Sequence, residues 1–192
     1  MPTRDELLDL FRKSGALLDG HFRLSSGLHS TGYLQSALVL QHPASAEQLG
    51  QGIAALTREL RPTVVLSPAL GGLIIGHEVG RALGVRAIFA ERQDGVLTLR
   101  RGFTIGELDR VLVIEDVLTT GGSTRETIQV AAAAGGQVIG AAAIVDRSGG
   151  AAHFDIPFSA LVSIELPTYE PDACPLCAQG VAVVKPGSRT PA

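Results

Sequence analysis

Lysine is almost absent from this sequence. Of its 16 basic residues only Lys13 and Lys185 are lysines, so the other 14 are arginines. A phosphate-binding loop of the Walker A type needs a lysine directly after a glycine, and neither lysine follows one. The sequence therefore excludes that class of nucleotide site, and any chemistry that requires a lysine has only two candidates.

The sequence also lacks a long hydrophobic run and an excess of positive charge. No apolar stretch approaches the ~20 residues that a membrane-spanning helix needs. The amphipathic segment at residues 1–15, which includes Asp5, Glu6 and Asp9, is unlike a signal peptide. The net charge of −3 offers no basic surface for nucleic acid. We therefore expect a cytoplasmic protein whose partners include neither a membrane nor a nucleic acid.

Cysteine is rare as well, and both cysteines lie in one Cys-Pro-Leu-Cys segment, Cys174 to Cys177. A redox Cys-x-x-Cys is expected at the start of a helix that follows a strand, whereas this one follows a loop. A zinc site needs about four ligands, and no histidine lies near these thiols in the sequence. A structural or incidental pair is the favoured interpretation. A redox pair and half of a metal site shared across a dimer are the alternatives.

What the sequence does contain suits a sizeable core. Hydrophobic residues make up 45% of the 192 residues and charged residues 18%, as in one folded domain. The spacing of apolar residues predicts a helix over residues 3–14, with Thr3 as its cap and Glu6 three positions on. Short strands are predicted within residues 15–43, and a helix over 44–60.

A regular alternation of strands and helices follows. Strands are predicted at 63–67, 85–90, 110–115, 137–146 and 159–165, and helices at 71–83 and 123–134. Apolar strands that alternate with helices are typical of a parallel sheet covered on both faces, so we predict an α/β fold. Ligands of such sheets bind in the loops at the carboxyl ends of the strands.

The stretch RVLVIEDVLTTGGSTRET, residues 110–127, has the composition of a ligand site at such a strand end. Gly121 and Gly122 allow the backbone to approach a ligand closely, and the neighbouring hydroxyl groups and the following helix supply donors. These features predict a site for a phosphate monoester, although an ordinary capped helix has similar turn residues. Glu115 and Asp116 are good acceptors for a vicinal diol, so a ribose 5-phosphate fits both parts.

Three segments resemble a known family. VLVIEDVLTTGGST, within residues 110–127, is similar to the phosphoribosyl-diphosphate (PRPP) motif of type I phosphoribosyltransferases. GHFRLSSGLHSTGYLQ (20–35) and IVDRSGG (144–150) resemble segments of orotate phosphoribosyltransferases. The likeness covers about residues 15–150. It implies the type I phosphoribosyltransferase fold, a parallel sheet flanked by helices with a small N-terminal hood.

The resemblance also implies an organisation for the chain. A single domain over residues 1–192 would comprise a helix and hood segment (1–43), an α/β core (44–165) and a C-terminal tail (166–192). A mobile loop would lie within the core at residues 91–107. In a homodimer, which the family likeness implies, this loop reaches into the site of the neighbouring subunit.

The reaction implied by the resemblance joins orotate to the ribose 5-phosphate of PRPP and releases pyrophosphate. The product, orotidine 5-phosphate, belongs to UMP biosynthesis. The implied cofactor is Mg²⁺, which PRPP carries and which the two acids of the motif reach through water, with no direct protein ligand.

Site residues follow from the matching motif positions. The implied PRPP-binding residues are Ala69, Leu70, Gly71, Arg92, Glu115, Asp116, Val117, Leu118, Thr119, Thr120, Gly121, Gly122 and Ser123. The implied orotate-binding residues are Ser26, Gly27, Tyr33, Thr119 and Arg147. The implied catalytic residues are Arg100, Arg101 and Asp116. Among these, Arg147 can clamp the anionic pyrimidine with its planar fork of donors.

Two alternatives keep the PRPP site but change the function. One is a phosphoribosyltransferase for a purine base, against which Arg147 argues because a purine has no carboxylate. The other is a regulator that binds PRPP as an effector and controls transcription. The acidic composition argues against this second alternative, because such a protein should carry a basic patch for DNA.

The sequence departs from the family pattern at its lysines. The family often has lysines at the positions of Ser25 and Gly71 and in the mobile loop, and this chain has none there. The loop contains Arg92, Arg100 and Arg101 instead, and arginine can hold pyrophosphate oxygens bidentately. We expect these arginines to supply the positive charge when the loop closes over PRPP as a lid.

Overall fold

The computed structural model describes residues 2–24 and 26–186. The helices in these residues are α1 (Arg4–Lys13), α2 (Ala37–Leu40), α3 (Pro43–Thr57), α4 (Gly72–Leu83), α5 (Gly122–Ala133) and α6 (Pro175–Ala178). The predicted cap of α1 is confirmed, since the Glu6 N–H donates to the Thr3 hydroxyl at 3.3 Å and the Thr3 N–H donates to the Glu6 carboxylate at 2.7 Å. None of the described helices is both long and apolar enough to cross a membrane.

The predicted parallel sheet is confirmed. The described strands are β1 (Leu17–Arg23), β2 (His29–Leu34), β3 (Val64–Pro68), β4 (Arg86–Gln93), β5 (Val96–Leu99), β6 (Arg110–Leu118), β7 (Gln137–Asp146), β8 (Phe158–Ser163) and β9 (Thr168–Tyr169). The main sheet has the order β5-β4-β3-β6-β7-β8, and its neighbours are parallel except for β4 and β5.

Helices cover both faces of the main sheet. One core cluster packs α1, α3 and α4 against a face that includes Leu112 and Ile114 of β6. The second cluster packs α5 against the opposite face, which includes Leu97 of β5 and Val111 and Val113 of β6. Because both faces are buried, the central strands are continuous apolar runs without polar alternation.

Strand β6 is longer than the sequence pattern indicates. The pattern places its end at Glu115, but pairing with β7 continues to Leu118, which lies opposite Asp146. Glu115 and Asp116 therefore lie inside the strand, because the apolar pair after them remains in register with β7. The loop that follows β6 begins only at Thr119.

The N-terminal hood contains a smaller sheet. The predicted short strands are β1 and β2, which pair antiparallel, and β9 from the tail pairs with β2. Beyond β9 the tail runs along β1, where the Arg23 N–H donates to the Val184 carbonyl at 2.8 Å. The Val184 N–H donates in turn to the His21 carbonyl at 2.8 Å. The hood is therefore assembled from both end regions of the described chain.

The segment predicted as a mobile loop is largely a β-hairpin. Residues 91–93 belong to β4 and residues 96–99 to β5, with Asp94 and Gly95 in the turn between them. Leu97 of the hairpin is buried in the second core cluster. Irregular backbone begins only after β5, so a lid movement of this segment would move a formed hairpin.

Candidate active site

Two adjoining cavities lie at the carboxyl ends of the parallel strands. The first, here the loop cavity, has a volume of about 280 Å³ and is lined by residues 115–124 with Pro68, Ala69 and Gly71. The second, here the hood cavity, has a volume of about 1160 Å³ and lies between the hood, the end of β7 and the tail. Thr119 and Thr120 line both cavities, so one ligand can extend from one into the other.

The loop cavity contains the start of α5. Gly121 precedes this helix with a φ of 77°, and a Cβ at Gly121 would lie 3.0 Å from Cζ of Phe154. Glycine is therefore required there both by backbone conformation and by space. Residues 122–124 of the first turn line the cavity, where helix N–H groups lack intrahelical acceptors. Such a helix start favours an anionic ligand.

Arg125 supports the same loop from outside the cavity. Its guanidinium donates to the Thr120 carbonyl at 2.8 Å and lies 5.4 Å from the ring centroid of Phe154. Sequence analysis missed this residue, although a signal exists. A cation in the first turn of a helix is unfavourable for the helix dipole, so its presence indicates a specific partner.

Asp116 accepts a hydrogen bond from Ser36 and lies close to the backbone of Gly71. The Ser36 hydroxyl donates to Oδ2 of Asp116. A Cβ at Gly71 would lie 2.6 Å from Oδ1 of the same carboxylate. Gly71 therefore leaves room for the carboxylate of Asp116 in its observed position. Nothing in the sequence pattern indicates the contact with Ser36.

Glu115 differs from its neighbour in burial. The residue is 8% exposed, and its burial raises the pKa of its carboxyl group to about 9, with a further upward contribution from the negative charge of Asp116. At neutral pH Glu115 is therefore protonated and can donate a hydrogen bond. Asp116 supplies the negative charge of the pair.

The turn between β3 and α4 forms the wall opposite the loop. Ala69 and Gly71 line the loop cavity, whereas Leu70 is 83% exposed and is not part of the lining. The Ala69 N–H donates to the Ala90 carbonyl at 2.7 Å, and the peptide bond between Ala69 and Leu70 is cis. The predicted residues of this turn are thus brought beside residues 115–124.

Arg147 is the main cation of the hood cavity. Its backbone N–H donates to the Leu118 carbonyl at 2.8 Å, which fixes the residue where β6 and β7 end. Its Nε is buried and has no hydrogen-bond partner among the described residues. Burial lowers the pKa of Arg147, but arginine remains charged in proteins. Tyr33 lines the same cavity, so a planar anion there would lie beside both a guanidinium group and an aromatic ring.

The other hood residues are placed differently from one another. Ser26 lines the hood cavity, whereas Gly27 is in the adjacent turn with a φ of 91° and is not part of the lining. Ser25, where the family often has a lysine, lies outside the described residues. Lys185 of the tail lines the hood cavity, a position that sequence analysis missed because the tail matches no recognised motif.

Three arginines of the predicted mobile loop lie apart from both cavities. They are Arg92 in β4 and Arg100 and Arg101 directly after β5, and they are called the hairpin arginines below. Nε of Arg101 lies 2.9 Å from a carboxylate oxygen of Glu91, and Nη1 of Arg100 lies 3.8 Å from the same oxygen. Arg92 lies 2.9 Å from the carboxylate of Glu126 on α5. None of the three arginines is among the described residues that line the cavities. Their roles toward PRPP therefore require a movement of the hairpin and stay predictions.

Known proteins resemble this chain along nearly its whole length. Residues 38–172 match the phosphoribosyl transferase domain. Orotate phosphoribosyltransferase from Heliobacterium modesticaldum is 55% identical over 98% of this chain and 100% of that protein. The protein of the same name from Pelotomaculum thermopropionicum is 54% identical over 97% of this chain and 98% of that protein.

A solved structure has the same fold. The orotate phosphoribosyltransferase of Mycobacterium tuberculosis, in complex with PRPP, superimposes with a TM-score of 0.69 at 27% identity. The match covers 84% of this chain and 96% of that one.

Proposed function

We propose that this chain, which belongs to the orotate phosphoribosyltransferase family, transfers the ribose 5-phosphate of PRPP to orotate. The products are orotidine 5-phosphate and pyrophosphate, and the reaction belongs to UMP biosynthesis. The observation that carries the proposal is the junction of the two cavities at Thr119 and Thr120. A helix start on one side and an unpaired arginine on the other suit the two ends of orotidine 5-phosphate.

The loop cavity receives the 5-phosphate of PRPP in this proposal. Backbone and hydroxyl groups of residues 119–123 donate to it, which requires no lysine. Val117 and Leu118 contribute to the floor of the same cavity. The turn at residues 69–71 faces the pyrophosphate group, as the family resemblance implies.

The two acids of β6 take different roles toward the ribose. The charged carboxylate of Asp116 accepts hydrogen bonds from the ribose hydroxyls and stabilises the positive charge that develops on the ring as pyrophosphate departs. The neutral Glu115 donates a hydrogen bond at the same site. Little proton transfer is needed, so the contribution of these residues is positioning and charge stabilisation.

The donors of the loop cavity fit Mg²⁺ as the cofactor. Magnesium takes oxygen ligands and keeps several waters, and Asp116 is a charged carboxylate in the cavity lining. We assign the water-mediated contact with the ion to Glu115 and Asp116, as the family resemblance implies, while the phosphates of PRPP hold the ion directly. When bound, the ion neutralises charge on the departing pyrophosphate.

The hood cavity receives orotate. Arg147 pairs with the orotate carboxylate through its guanidinium group, and Tyr33 packs against the ring. The backbone at Ser26 and Gly27 donates to the edge of the base, and Thr119 contacts the base from the loop. Lys185 adds a second cation to this cavity, and a purine substrate would leave these charges unpaired.

The hairpin acts as a lid over bound PRPP, and we propose that it serves the neighbouring subunit of a homodimer. Arg100 and Arg101 exchange their contact with Glu91 for pyrophosphate, whose several negative charges compete with one carboxylate. Arg92 likewise exchanges its contact with Glu126 for a contact with pyrophosphate. These contacts form only in the closed state, so they act on the chemical step.

Product analysis tests the proposed function. The full chain is incubated with PRPP, Mg²⁺ and a panel of pyrimidine and purine bases, and nucleotide products are identified by mass spectrometry. We expect orotidine 5-phosphate with orotate and no nucleotide with purines. A purine nucleotide would favour the purine alternative, and PRPP binding without any product would favour the regulator. The cytoplasmic location proposed from the sequence is tested separately by cell fractionation.

A further inference from the structure

We propose that His21, His29, Cys174 and Cys177 bind one structural zinc ion that fastens the tail to the hood. The four side chains come from β1, β2 and the turn at α6, and one ligand atom from each lies within 4.8 Å of all the others. Two histidine nitrogens with two thiolate sulfurs form a ligand set typical of tetrahedral zinc. This site is separate from both cavities of the proposed active site.

The separations between the ligand atoms suit a common metal ion. Zn–S bonds of about 2.3 Å and Zn–N bonds of about 2.0–2.1 Å place tetrahedral ligand atoms about 3.3–3.8 Å apart. Sγ of Cys174 lies 3.4 Å and Sγ of Cys177 lies 3.7 Å from Nε2 of His21. Nδ1 of His29 lies 3.3 Å from Sγ of Cys177 and 2.9 Å from Nε2 of His21. Small adjustments therefore complete the geometry.

The orientation of His21 favours a metal at its Nε2. Nδ1 of His21 lies 2.8 Å from the Val181 carbonyl, which can only accept a hydrogen bond. Nδ1 therefore carries the proton, and the lone pair of Nε2 faces the two sulfurs and His29. A backbone carbonyl that fixes the tautomer of a histidine in this way is typical of metal ligands.

The backbone brings the ligands together from distant parts of the sequence. The register shift in β1 between Asp19 and Phe22 includes His21, and His29 lies opposite Arg23 on the neighbouring strand. Cys174 and Cys177 occupy one tight turn, in which the Ala178 N–H donates to the Cys174 carbonyl at 3.1 Å. The spacing of two residues between the cysteines is the usual spacing of zinc-binding thiolates.

Burial indicates a closed, structural site. His21, His29 and Cys174 are 3%, 6% and 4% exposed, Cys177 lies at the exposed edge of the cluster, and neither cysteine forms a disulfide. All four zinc positions would be taken by protein ligands, which leaves none for a substrate. The interpretation of the Cys-x-x-Cys as a structural pair is thus extended, because the missing histidines come from the hood of the same chain.

The tail needs such a fastening because its hydrophobic contribution is small. Cys174 is buried, but Val181, Val183 and Val184 are 44%, 46% and 54% exposed. Strand β9 has two residues, and short strands alone are marginally stable. Metal binding supplies folding free energy where a core is too small to do so.

The zinc site also has a consequence for the hood cavity, which rests on the proposed function. Val181, whose carbonyl orients His21, lies only four residues before Lys185 in the sequence. Between them Val184 pairs with β1. Release of the tail would therefore remove Lys185 from the cavity that we assign to orotate.

Metal analysis of the full chain tests the proposal. The chain is purified under reducing conditions, and its metal content is measured by inductively coupled plasma mass spectrometry. We expect about one zinc per chain, and a content near zero for Cys177→Ser and His29→Ala. The matched control is His77→Ala, because His77 is exposed on α4 and far from the cluster in the fold. This control should retain its zinc.

Cobalt substitution of the unmodified chain keeps the proposal testable if the variants fail to fold. Co²⁺ in this site should give the intense visible absorption bands of tetrahedral thiolate coordination, and added Zn²⁺ should abolish them. A chain that contains no zinc and takes up neither ion in excess would overturn the proposal, as would a Cys174–Cys177 disulfide in anaerobically purified protein. Neither measurement depends on enzyme activity, so the result is independent of the proposed function.

Discussion

The loop cavity and the hood cavity receive two ends of one product in our proposal, yet they are built in different ways. The loop cavity comes from one continuous run, residues 115–124, and a single turn after β3. The hood cavity collects side chains from the hood, the end of β7 and the tail. The first therefore depends on local backbone geometry, and the second on how distant segments pack.

This difference has a functional meaning. Donors of the loop cavity are backbone groups and small side chains, which suit the 5-phosphate that PRPP and orotidine 5-phosphate share. Charged and aromatic side chains such as Arg147 and Tyr33 line the hood cavity, where we propose that the base is recognised. We expect substitutions in the loop cavity to affect all reactions of PRPP, and those in the hood cavity to affect mainly orotate.

Gly121→Val should have the largest effect and tests the backbone side of the comparison. The new side chain would meet Phe154 and force an unfavourable φ, so turnover should become undetectable while the fold persists by circular dichroism. Gly15→Val is the matched control, because Gly15 has a φ of 70°, an open surrounding and no place in either cavity. Normal turnover of the Gly121 variant would show that this loop does not bind the 5-phosphate.

Arg100→Ala with Arg101→Ala tests residues outside both cavities. If these arginines act only in the closed state, single-turnover rates should fall by about 10²–10³. Affinity for orotidine 5-phosphate should change little, as measured by calorimetry. Arg81→Ala is the control, since Arg81 also pairs with acids but at the surface of α4. Unchanged single-turnover rates would exclude the hairpin arginines from the mechanism.

The same variant also tests whether the lid is shared. A chain with both arginines replaced is mixed with an Arg147→Ala chain, so that one site of the heterodimer combines an intact base cavity with its partner's intact hairpin. Recovery of activity is expected. Failure of verified heterodimers to recover would indicate that each hairpin closes over its own subunit.

Lys185→Ala should have a smaller effect, confined to the hood cavity. Loss of the second cation should raise the KM for orotate by roughly 3- to 10-fold and leave the KM for PRPP nearly unchanged. The only other lysine is the control: Lys13 pairs with Asp9 on the surface of α1, so Lys13→Ala should leave both constants unchanged. Equal effects of the two substitutions would argue against a role for the tail in binding orotate.

Glu115→Gln should have the smallest effect on turnover. Its effect is expected in the pH dependence of the free energy of unfolding. Because burial raises the pKa of Glu115 to about 9, the folded chain retains a proton that the unfolded chain loses near the ordinary value of 4.5. This contribution to stability is complete below about pH 4.5 and is lost as the pH rises towards 9. The free energy of unfolding of the wild type should fall relative to Glu115→Gln across this range in urea titrations. Parallel pH profiles would show that Glu115 is not held neutral.

The sequence predicts the loop cavity better than the hood cavity. The reason is that the first is built from adjacent residues and the second from segments that are distant in the chain. Residues 115–124 are adjacent in the chain, so their order alone indicates a helix start, a turn and two acids. Arg147 could be predicted from the sequence because it follows a strand that neighbours β6. Ser36 and Lys185 could not be predicted, because packing of the hood and the tail brings them to the site and no local sequence pattern indicates those contacts.

The same limit applies to the proposed zinc ligands and to the strand boundary. His21 and Cys174 meet only because the tail returns to β1, so the sequence spacing of the cysteines showed half of the cluster. The end of β6 was misplaced because Glu115 and Asp116 interrupt an apolar run that continues to pair with β7. In our proposal these two acids lie inside a buried strand because they contact the ribose.

Titration calorimetry of orotidine 5-phosphate and of PRPP against the wild type, Gly121→Val and Arg147→Ala tests most directly whether one product spans both cavities. We predict that both substitutions lower the affinity for orotidine 5-phosphate. Arg147→Ala should lower it by roughly 10- to 100-fold, because one charged hydrogen-bonded contact is lost. The affinity for PRPP should be lowered by Gly121→Val and little affected by Arg147→Ala. If Arg147→Ala leaves orotidine 5-phosphate binding intact, or weakens PRPP equally, the division of the site into a phosphate end and a base end is wrong.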